Sequence, residues 1–327
     1  MKQKVKLPAA SCGEEARRRV IIDCDPGVDD ALALVLAFHS PELDVKAVTG
    51  VNGNVPLSAV FDNIQKVLTL LRPSAIPIIA KGADRPLAGD PVYAYSLHGK
   101  SGLGRSKIDR REGEPWWHVS SSHAGDLIAN LARQYPKEIT LIAIGPLTNL
   151  AMGLQRDPEG MRMLKDVLIM GGAVRTGGNV TPFAEFNMFV DPLAAERVFR
   201  EPWSLTLVPL DVTHHVFLTP GMIEERVRPL HNACSQFVIE ATGYHSASQR
   251  FQRGRKVFYL HDPLSVGIVL RPKLVRKERL SVTVETREGR EYDRVLEAPG
   301  KGRGNVDVGL EVNSEAFLEL FLSRLGT

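Results

Sequence analysis

Four aspartates lie within eight positions near the start of the chain, between an apolar strand and an apolar helix. They are Asp23, Asp25, Asp29 and Asp30, in the segment Val-Ile-Ile-Asp-Cys-Asp-Pro-Gly-Val-Asp-Asp-Ala. Carboxylates this close repel one another unless protons or a hard cation neutralise them. Ligand sets made only of oxygen favour Ca²⁺ or Mg²⁺ over zinc. A solvated helix cap would explain one of these acids, but it does not explain four.

The elements around the acids place them at the edge of a sheet. Val20–Ile22 is a β-branched run typical of a strand, and Pro26 with Gly27 is a turn signal. Ala31–Phe38 is too long and too rich in Ala and Leu to be another strand, so it is predicted to be a helix. The strand therefore ends where the acids begin. In an α/β sheet that end is the carboxyl edge, where ligands bind.

Strand-like runs alternate with helical runs along the chain. This alternation predicts βαβ units, a mostly parallel central sheet and a single α/β domain over residues 20–327, preceded by a disordered extension at residues 1–19. Residues 81–122, which we call the lid, hold six glycines and three prolines and are predicted to be a mobile loop. The other predicted elements are strands at Val45–Val48, Ile139–Ile144, Val167–Met170 and Leu205–Leu210, helices at Ala59–Leu71, Leu147–Leu154, Pro192–Phe199 and Ala316–Leu325, and a hairpin of Val282–Glu285 with Tyr292–Val295.

Composition excludes several classes of function. The chain has 41 Lys and Arg against 38 Asp and Glu, and a net charge of +3 provides no electrostatic footprint for nucleic acid. Its three cysteines form no CxxC pair, which argues for a reducing compartment and against a disulfide framework or a zinc site. No apolar run approaches the roughly 20 residues of a membrane span. We therefore expect a cytoplasmic protein that binds neither nucleic acid nor membranes.

The order of the first motif resembles the signature of the inosine-uridine preferring nucleoside hydrolase family. The resemblance implies the family's Rossmann-like fold and hydrolysis of the N-glycosidic bond of ribonucleosides to ribose and free nucleobase, as in purine and pyrimidine salvage. It also implies a homo-oligomer, either a dimer or a tetramer. Further stretches that resemble the family follow in order: Val51–Asn54, His98–Gly104, Ile144–Asn149, Met170–Gly172, Asn179 with Glu185–Asn187, and His261–Pro263.

The resemblance also implies a Ca²⁺ ion held by Asp25, Asp30, the main-chain carbonyl of Ile144 and Asp262. Such an ion would bind a water molecule and the ribose 2′- and 3′-hydroxyls together, and it would lower the pKa of that water. Asp25, which in this family both contacts the metal and faces the water, is then the general base. A carbonyl ligand needs no particular side chain, so the apolar Ile144 is compatible with this role.

Ribose hydroxyls are recognised by groups that accept and donate hydrogen bonds. The motif Glu185-x-Asn187 is expected to project two polar side chains to one face of an extended segment, although its spacing alone fits a hydrated loop equally well. Phe186, between them, is a candidate for stacking on the nucleobase. The full set of predicted substrate-binding residues is Asp29, Asn54, Asn179, Glu185, Phe186 and Asn187.

Two of the nine histidines are candidate catalytic residues. His261 precedes Asp262, and at a helix start beside a metal ligand it is placed to donate a proton to the departing base or to hold that base. His98 lies in the glycine-rich lid and is expected to close over the sugar or base. His214 and His215 are interpreted as strand-end residues without a catalytic role.

Two alternatives remain open at this stage. In a haloacid-dehalogenase-like phosphatase, Asp23 would be the nucleophile and Asp25 the acid, but that pattern requires Thr or Val where this chain has Gly27. The second alternative is a non-catalytic nucleoside-binding or ribose-binding protein, which the fold alone does not exclude. Base preference is also open, with His261 favouring the nonspecific or pyrimidine-preferring branches of the family.

Overall fold

The computed structural model describes residues 17–108, 115, 117–248, 256–286, 294–297 and 305–326. Strands and helices alternate along most of this length, as the sequence predicts. The strands are β1 (Arg18–Cys24), β2 (Leu43–Gly50), β3 (Ile78–Lys81), β4 (His118–Val119), β5 (Ile139–Ala143), β6 (Asp166–Met170), β7 (Leu205–Val208), β8 (Phe217–Leu218), β9 (Phe258–Tyr259), β10 (Val275–Val284), β11 (Val295–Glu297) and β12 (Asn305–Val312).

The helices connect these strands and cover the sheet. They are α1 (Val28–Phe38), α2 (Leu57–Leu71), α3 (Tyr95–His98), α4 (Ala124–Gln134), α5 (Thr148–Arg156), α6 (Pro158–Met161), α7 (Phe186–Val190), α8 (Pro192–Phe199), α9 (Leu210–Thr213), α10 (Pro220–Met222), α11 (Ala233–Ser248), α12 (His261–Leu270) and α13 (Ser314–Leu325). A π-helical turn at Ile223–Val227 and 3₁₀ turns at Arg228–Leu230 and Pro272–Leu274 complete the set. Among the described residues, no helix combines the length and the apolar character needed to cross a bilayer.

Ten strands form one sheet in the order β11-β10-β12-β7-β6-β5-β1-β2-β3-β4, and β8 pairs with β9 separately. All neighbours from β12 to β4 run parallel, whereas β10 is antiparallel to both β12 and β11. This confirms the predicted mostly parallel α/β sheet. Since β1 lies between β2 and β5, the loops that follow these strands emerge side by side at one edge.

The central strand β1 is buried on both faces. Val20 and Ile22 pack into a core with α1, α2, α12 and α13, whereas Ile21 packs into a second core with α4, α5 and α8. Strands covered on both faces are expected to be continuously apolar, as Val20–Ile22 is. The loop that carries the aspartates therefore starts from a rigid strand.

Several boundaries differ from the sequence-based expectations. The strand predicted at Leu205–Leu210 ends at Val208, because Pro209 cannot donate to the ladder and α9 starts directly after it. Strand β1 begins at Arg18, inside the segment expected to be disordered, and residues 1–16 lie outside the described part of the chain. The expected hairpin is present as antiparallel β10 and β11, but Tyr292 falls outside the described residues.

Candidate active site

The carboxyl edge of the sheet carries the predicted site. Asp25 follows β1, Asn54 follows β2 and Ile144 follows β5, while Asp262 is the second residue of α12, which packs against α1. These segments surround a pocket with about 580 Å³ of empty space, a volume that includes its open mouth. Its lining includes all six predicted substrate-binding residues together with His98, Ile144, His261 and Asp262.

Three carboxylates meet at this pocket. Asp29, Asp30 and Asp262 are buried, and each offers an oxygen atom that lies within 4.8 Å of the other two. Burial raises the pKa of Asp29 and of Asp30 to about 6, and the neighbouring Asp29 carboxylate adds to the shift of Asp30. Burial and the other acids raise the pKa of Asp262 well above its ordinary value. The group is therefore a strong candidate for binding a cation.

Asp25 lies beside this group and is fully buried. Its Oδ2 accepts a 2.6 Å hydrogen bond from the main-chain N–H of Asn54, whereas its Oδ1 is buried and accepts none in the part of the chain described. Burial and the Asp30 charge raise the pKa of Asp25 well above its ordinary value. Gly145 makes room for this carboxylate, since a Cβ atom there would lie 2.7 Å from Oδ1.

The donor set fits a hard divalent cation. Oδ1 of Asp25 and Oδ1 of Asp29 are both buried oxygens that accept no hydrogen bond within the described residues. Buried polar atoms normally have a partner, so such exceptions mark sites for a further ligand. All the available ligand atoms are carboxylate or carbonyl oxygens, which suit Ca²⁺ or Mg²⁺.

Asn54 supports the acids. Its side-chain Nδ2 donates to Oδ2 of Asp30 at 3.1 Å and to the main-chain oxygen of Asp25 at 3.3 Å. The main-chain N–H groups of Asp25 and Gly27 donate to the two oxygens of Asp30. Asn54 lines the pocket as predicted, but its amide donor is occupied by the cluster.

The Glu185-x-Asn187 motif is not an extended segment, so that expectation is wrong. Glu185 caps α7, and its carboxylate accepts hydrogen bonds from the N–H groups of Asn187, Met188 and Gly172. Asn187 lies inside α7, where its Nδ2 donates to the carbonyls of Ile144 (2.9 Å) and Met170 (3.2 Å). The Ile144 carbonyl predicted as a metal ligand is thus held by Asn187, and its second lone pair can still take a cation.

The lid folds over the pocket through α3. His98, at the end of α3, is buried, and its Nδ1 accepts a 3.1 Å hydrogen bond from the main-chain N–H of Val28. Burial lowers the pKa of His98 to about 4. A neutral imidazole that accepts at Nδ1 carries its proton on Nε2. His98 therefore offers a hydrogen bond and has no additional proton to transfer.

His261 contacts residues to which the sequence assigned no role in the site. Its Nδ1 lies 2.7 Å from the hydroxyl oxygen of Thr213, and its ring contacts the rings of Tyr259 and His214. His214 is thus close to the site, although the sequence assigned it no role. One feature of the sequence indicates this position: the segment Asp211-Val212-Thr213-His214 follows an apolar strand, as the other segments of the site do.

The geometry of Asp23 gives no support to the phosphatase alternative. Asp23, its required nucleophile, is fully buried, and its Oδ1 accepts hydrogen bonds from Thr49 and Asn149. Burial raises the pKa of Asp23 to about 7. Asp23 is thus held inside the fold by Thr49 and Asn149, which is not the environment of an attacking nucleophile.

Comparison with known proteins gives a consistent result. The family model described as inosine-uridine preferring nucleoside hydrolase matches residues 20–319. The chain is 38% identical over 311 residues to a pyrimidine-specific ribonucleoside hydrolase RihA of Klebsiella pneumoniae, covering 94% of this chain and 97% of the relative. It is 36% identical over 277 residues to an inosine-uridine preferring nucleoside hydrolase of Crithidia fasciculata, covering 82% and 84%. The solved structure of a plant nucleoside hydrolase, PpNRh1, superposes with a TM-score of 0.86 at 29% identity, covering 95% of this chain and 99% of the other.

Proposed function

The chain belongs to the inosine-uridine preferring nucleoside hydrolase family and hydrolyses the N-glycosidic bond of ribonucleosides, and from this premise we propose which residues perform each part of the reaction. The observation that carries the proposal is the group of buried carboxylates at the carboxyl edge of the sheet, next to a pocket lined by amides and two histidines. Asp25, Asp30, the Ile144 carbonyl and Asp262 would hold one Ca²⁺, which supplies charge neutralisation and Lewis acidity toward water and the ribose diol.

Asp25 is the general base of this proposal. Its Oδ2 is fixed by the Asn54 N–H, so the carboxylate is oriented and Oδ1 is the oxygen that accepts the proton of the attacking water. Without a cation, burial disfavours the charged form of Asp25 and raises its pKa. A bound cation would offset that cost and keep Asp25 ionised, so that it could accept a proton.

Sugar binding is assigned in this proposal to polar residues of the pocket lining. Asp29, which belongs to the carboxylate group, would offer oxygens to the ribose together with Asn179 and Asn187, while Glu185 holds α7 by accepting hydrogen bonds from main-chain N–H groups. Phe186 lines the same pocket and is half-buried, so its ring is available to a nucleobase. Ribose bound in this way would bring the glycosidic bond toward Asp25.

His261 is the proposed proton donor to the leaving base, and His98 is a hydrogen-bond donor from the lid. A histidine acid typically contributes about 10²–10⁴ in rate. We propose pyrimidine ribonucleosides as preferred substrates, supported by His261 and by the pyrimidine-specific name of one relative. A cytoplasmic homo-oligomer acting in nucleoside salvage remains part of the proposal.

The test is hydrolysis of uridine, cytidine, inosine and adenosine by protein stripped of cations, before and after addition of Ca²⁺ or Mg²⁺. We expect turnover only with a divalent cation, and Asp30→Asn should lose both bound metal and activity. Asp126→Asn, which alters an exposed carboxylate of α4, is the matched control and should behave like the wild type. Full activity of a preparation shown to be metal-free by elemental analysis would overturn the metal assignment, and binding without hydrolysis would favour the non-catalytic alternative.

A further inference from the structure

We propose that Thr213 is the positioning residue for His261, holding the ring so that Nε2 faces the leaving group both before and after proton transfer. The proposal rests on the function assigned above. Thr213 ends the short helix α9 and is completely buried. Its hydroxyl oxygen lies 2.7 Å from Nδ1 of His261, across 48 positions of sequence.

The contact determines which nitrogen serves the substrate. Nδ1 of His261 is committed to Thr213, while the ring lines the pocket, so Nε2 is the atom that reaches the departing base. The rings of Tyr259 and His214 lie beside His261, with centroids 5.4 and 5.7 Å away, and restrict its rotation. Thr213 and His214 are consecutive, so the end of α9 holds the His261 ring from two directions.

A hydroxyl suits this position because its oxygen accepts a hydrogen bond from the Nδ1–H of His261 whether or not Nε2 carries a proton. As the C1′–N bond breaks, its electron pair leaves with the base, and the proton on Nε2 passes to a nitrogen of that base. His261 is left as a neutral imidazole with its proton on Nδ1, which still donates to the Thr213 oxygen. The hydroxide part of the attacking water joins C1′, and the water's other proton goes to Asp25.

A threonine also differs from the carboxylate that often partners a catalytic histidine. A carboxylate favours the charged imidazolium and so resists the loss of its proton. The neutral hydroxyl stays bound in either state without that electrostatic preference. Thr213 therefore orients the acid and leaves it free to release its proton.

The test compares two substrates that differ in their need for an acid. Thr213→Val removes the hydroxyl and keeps the shape of the side chain. We expect kcat for uridine to fall about 10-fold, which is less than the roughly 10²–10⁴-fold loss expected when the acid itself is removed. Hydrolysis of p-nitrophenyl riboside should change less than twofold, since its leaving group departs without a proton. Thr213→Ser should restore uridine turnover to within about twofold.

Two further variants separate positioning from folding. Thr69→Val removes another buried threonine hydroxyl, which donates to the Gln65 carbonyl at 2.8 Å far from the pocket, and should leave both substrates unaffected. In a His261→Ala background, adding Thr213→Val should cause no further loss, because the residue acts through His261. If Thr213→Val does not fold, the serine variant and the double-variant comparison made with Thr213→Ala carry the test.

Three results would overturn the assignment of Thr213 as the positioning residue. Equal slowing of both substrates without rescue by serine would make Thr213 a structural residue. Wild-type uridine turnover by Thr213→Val would also overturn it, as would additive losses in the His261→Ala background. If wild-type protein hydrolyses p-nitrophenyl riboside but no nucleoside, the proposed function itself fails, which is a different result.

Discussion

Asn187, which is proposed to bind the ribose, contacts two strand ends. Its amide donates to the carbonyls after β5 and at the end of β6, so it fixes the Ile144 carbonyl while its own helix is capped by Glu185. A site built to pair hydroxyls is left with buried unpaired groups when a hydroxyl is missing. The ribose 2′-hydroxyl is therefore expected to matter strongly for turnover.

We predict that the wild-type protein favours uridine over 2′-deoxyuridine in kcat/KM by about 10²-fold or more. Asn187→Ala should lower kcat/KM for uridine by about 10–100-fold. It should also reduce the preference for uridine over 2′-deoxyuridine, since both the contact with the Ile144 carbonyl and the proposed contact with the sugar are lost. Asn232→Ala is the control, because that amide donates to the Leu325 carbonyl away from the site. Equal kcat/KM for the two substrates in the wild type would remove Asn187 from the ribose site.

The residues that chemistry requires were visible in the sequence, but several of their partners were not. Asp25, Asp29, Asp30, Asp262 and His261 have types and neighbours that indicate their use, and the structure places all of them at the pocket or directly beside it. The sequence named Asn187 but not its contact with Ile144, and it did not name Thr213 as the partner of His261. These contacts span 43 and 48 positions, and no local pattern encodes such distances.

The lid is fastened by helix α2 as well as by its own helix. Asn63 of α2 is buried, and its Nδ2 donates to the Ser101 carbonyl at 2.7 Å and to the Pro26 carbonyl at 3.0 Å. Gly102 passes over this contact with a φ of +89°, and a Cβ there would lie 2.6 Å from Asn63 Nδ2. One side chain thus ties the lid to the loop that carries the aspartates.

We predict that Asn63→Leu, which removes both hydrogen bonds at similar volume, raises KM for uridine about 10-fold, because substrate binding must then supply part of the ordering of the lid. Amide hydrogen exchange of residues 95–104 should become faster. Gln65→Leu on the same helix is the matched control, since its amide donates to the Phe61 carbonyl within α2. Unchanged KM and unchanged exchange in Asn63→Leu would show that the lid is held without it.

Long elements were predictable and short ones were not. Helices such as α2 and α13 span several turns, so their apolar spacing is visible in the sequence. By contrast, α3, α7 and α9 have four or five residues, too few for a periodic pattern. These short helices carry His98, Asn187 and Thr213, so the sequence named the first two residues but did not predict the helices that position them.

Across the whole molecule, stability should depend both on pH and on whether a cation is bound. In cation-free protein, burial raises the pKa of Asp29 and Asp30 to about 6 and that of Asp25 well above its ordinary value. A carboxyl group with a raised folded-state pKa weakens the folded state once pH exceeds its unfolded-state value of about 4, and the cost is complete above the folded-state pKa.

We therefore predict that the cation-free protein has a higher Tm at pH 5 than at pH 8. Added Ca²⁺ should raise Tm most at pH 8, because the ionised carboxylates bind it best. Thermal unfolding with a chelator and with Ca²⁺ measures both effects, and Asp30→Asn should flatten the pH dependence. A cation-free Tm that rises from pH 5 to pH 8 would contradict the assignment of these acids.

Alternation of strands and helices predicted the parallel sheet, but not its strand order. The last strands along the chain, β10 to β12, join next to β7, so the sheet grows from both sides of β1. Order is decided by which faces pack together across long stretches of chain, and hydropathy patterns do not report this. The antiparallel β10 was predictable only as part of a hairpin.

The central place of β1 has a consequence for how the chain is made. This strand is synthesised before all the others, yet its neighbour β5 starts only at Ile139, and Asp262 follows Asp30 by about 230 residues. At about 5–20 residues per second on a ribosome, the first aspartates wait roughly 12–46 s for their last partner. The group of Asp29, Asp30 and Asp262 therefore assembles only after most of the chain has been made, and β10, β12 and α13 are added later still.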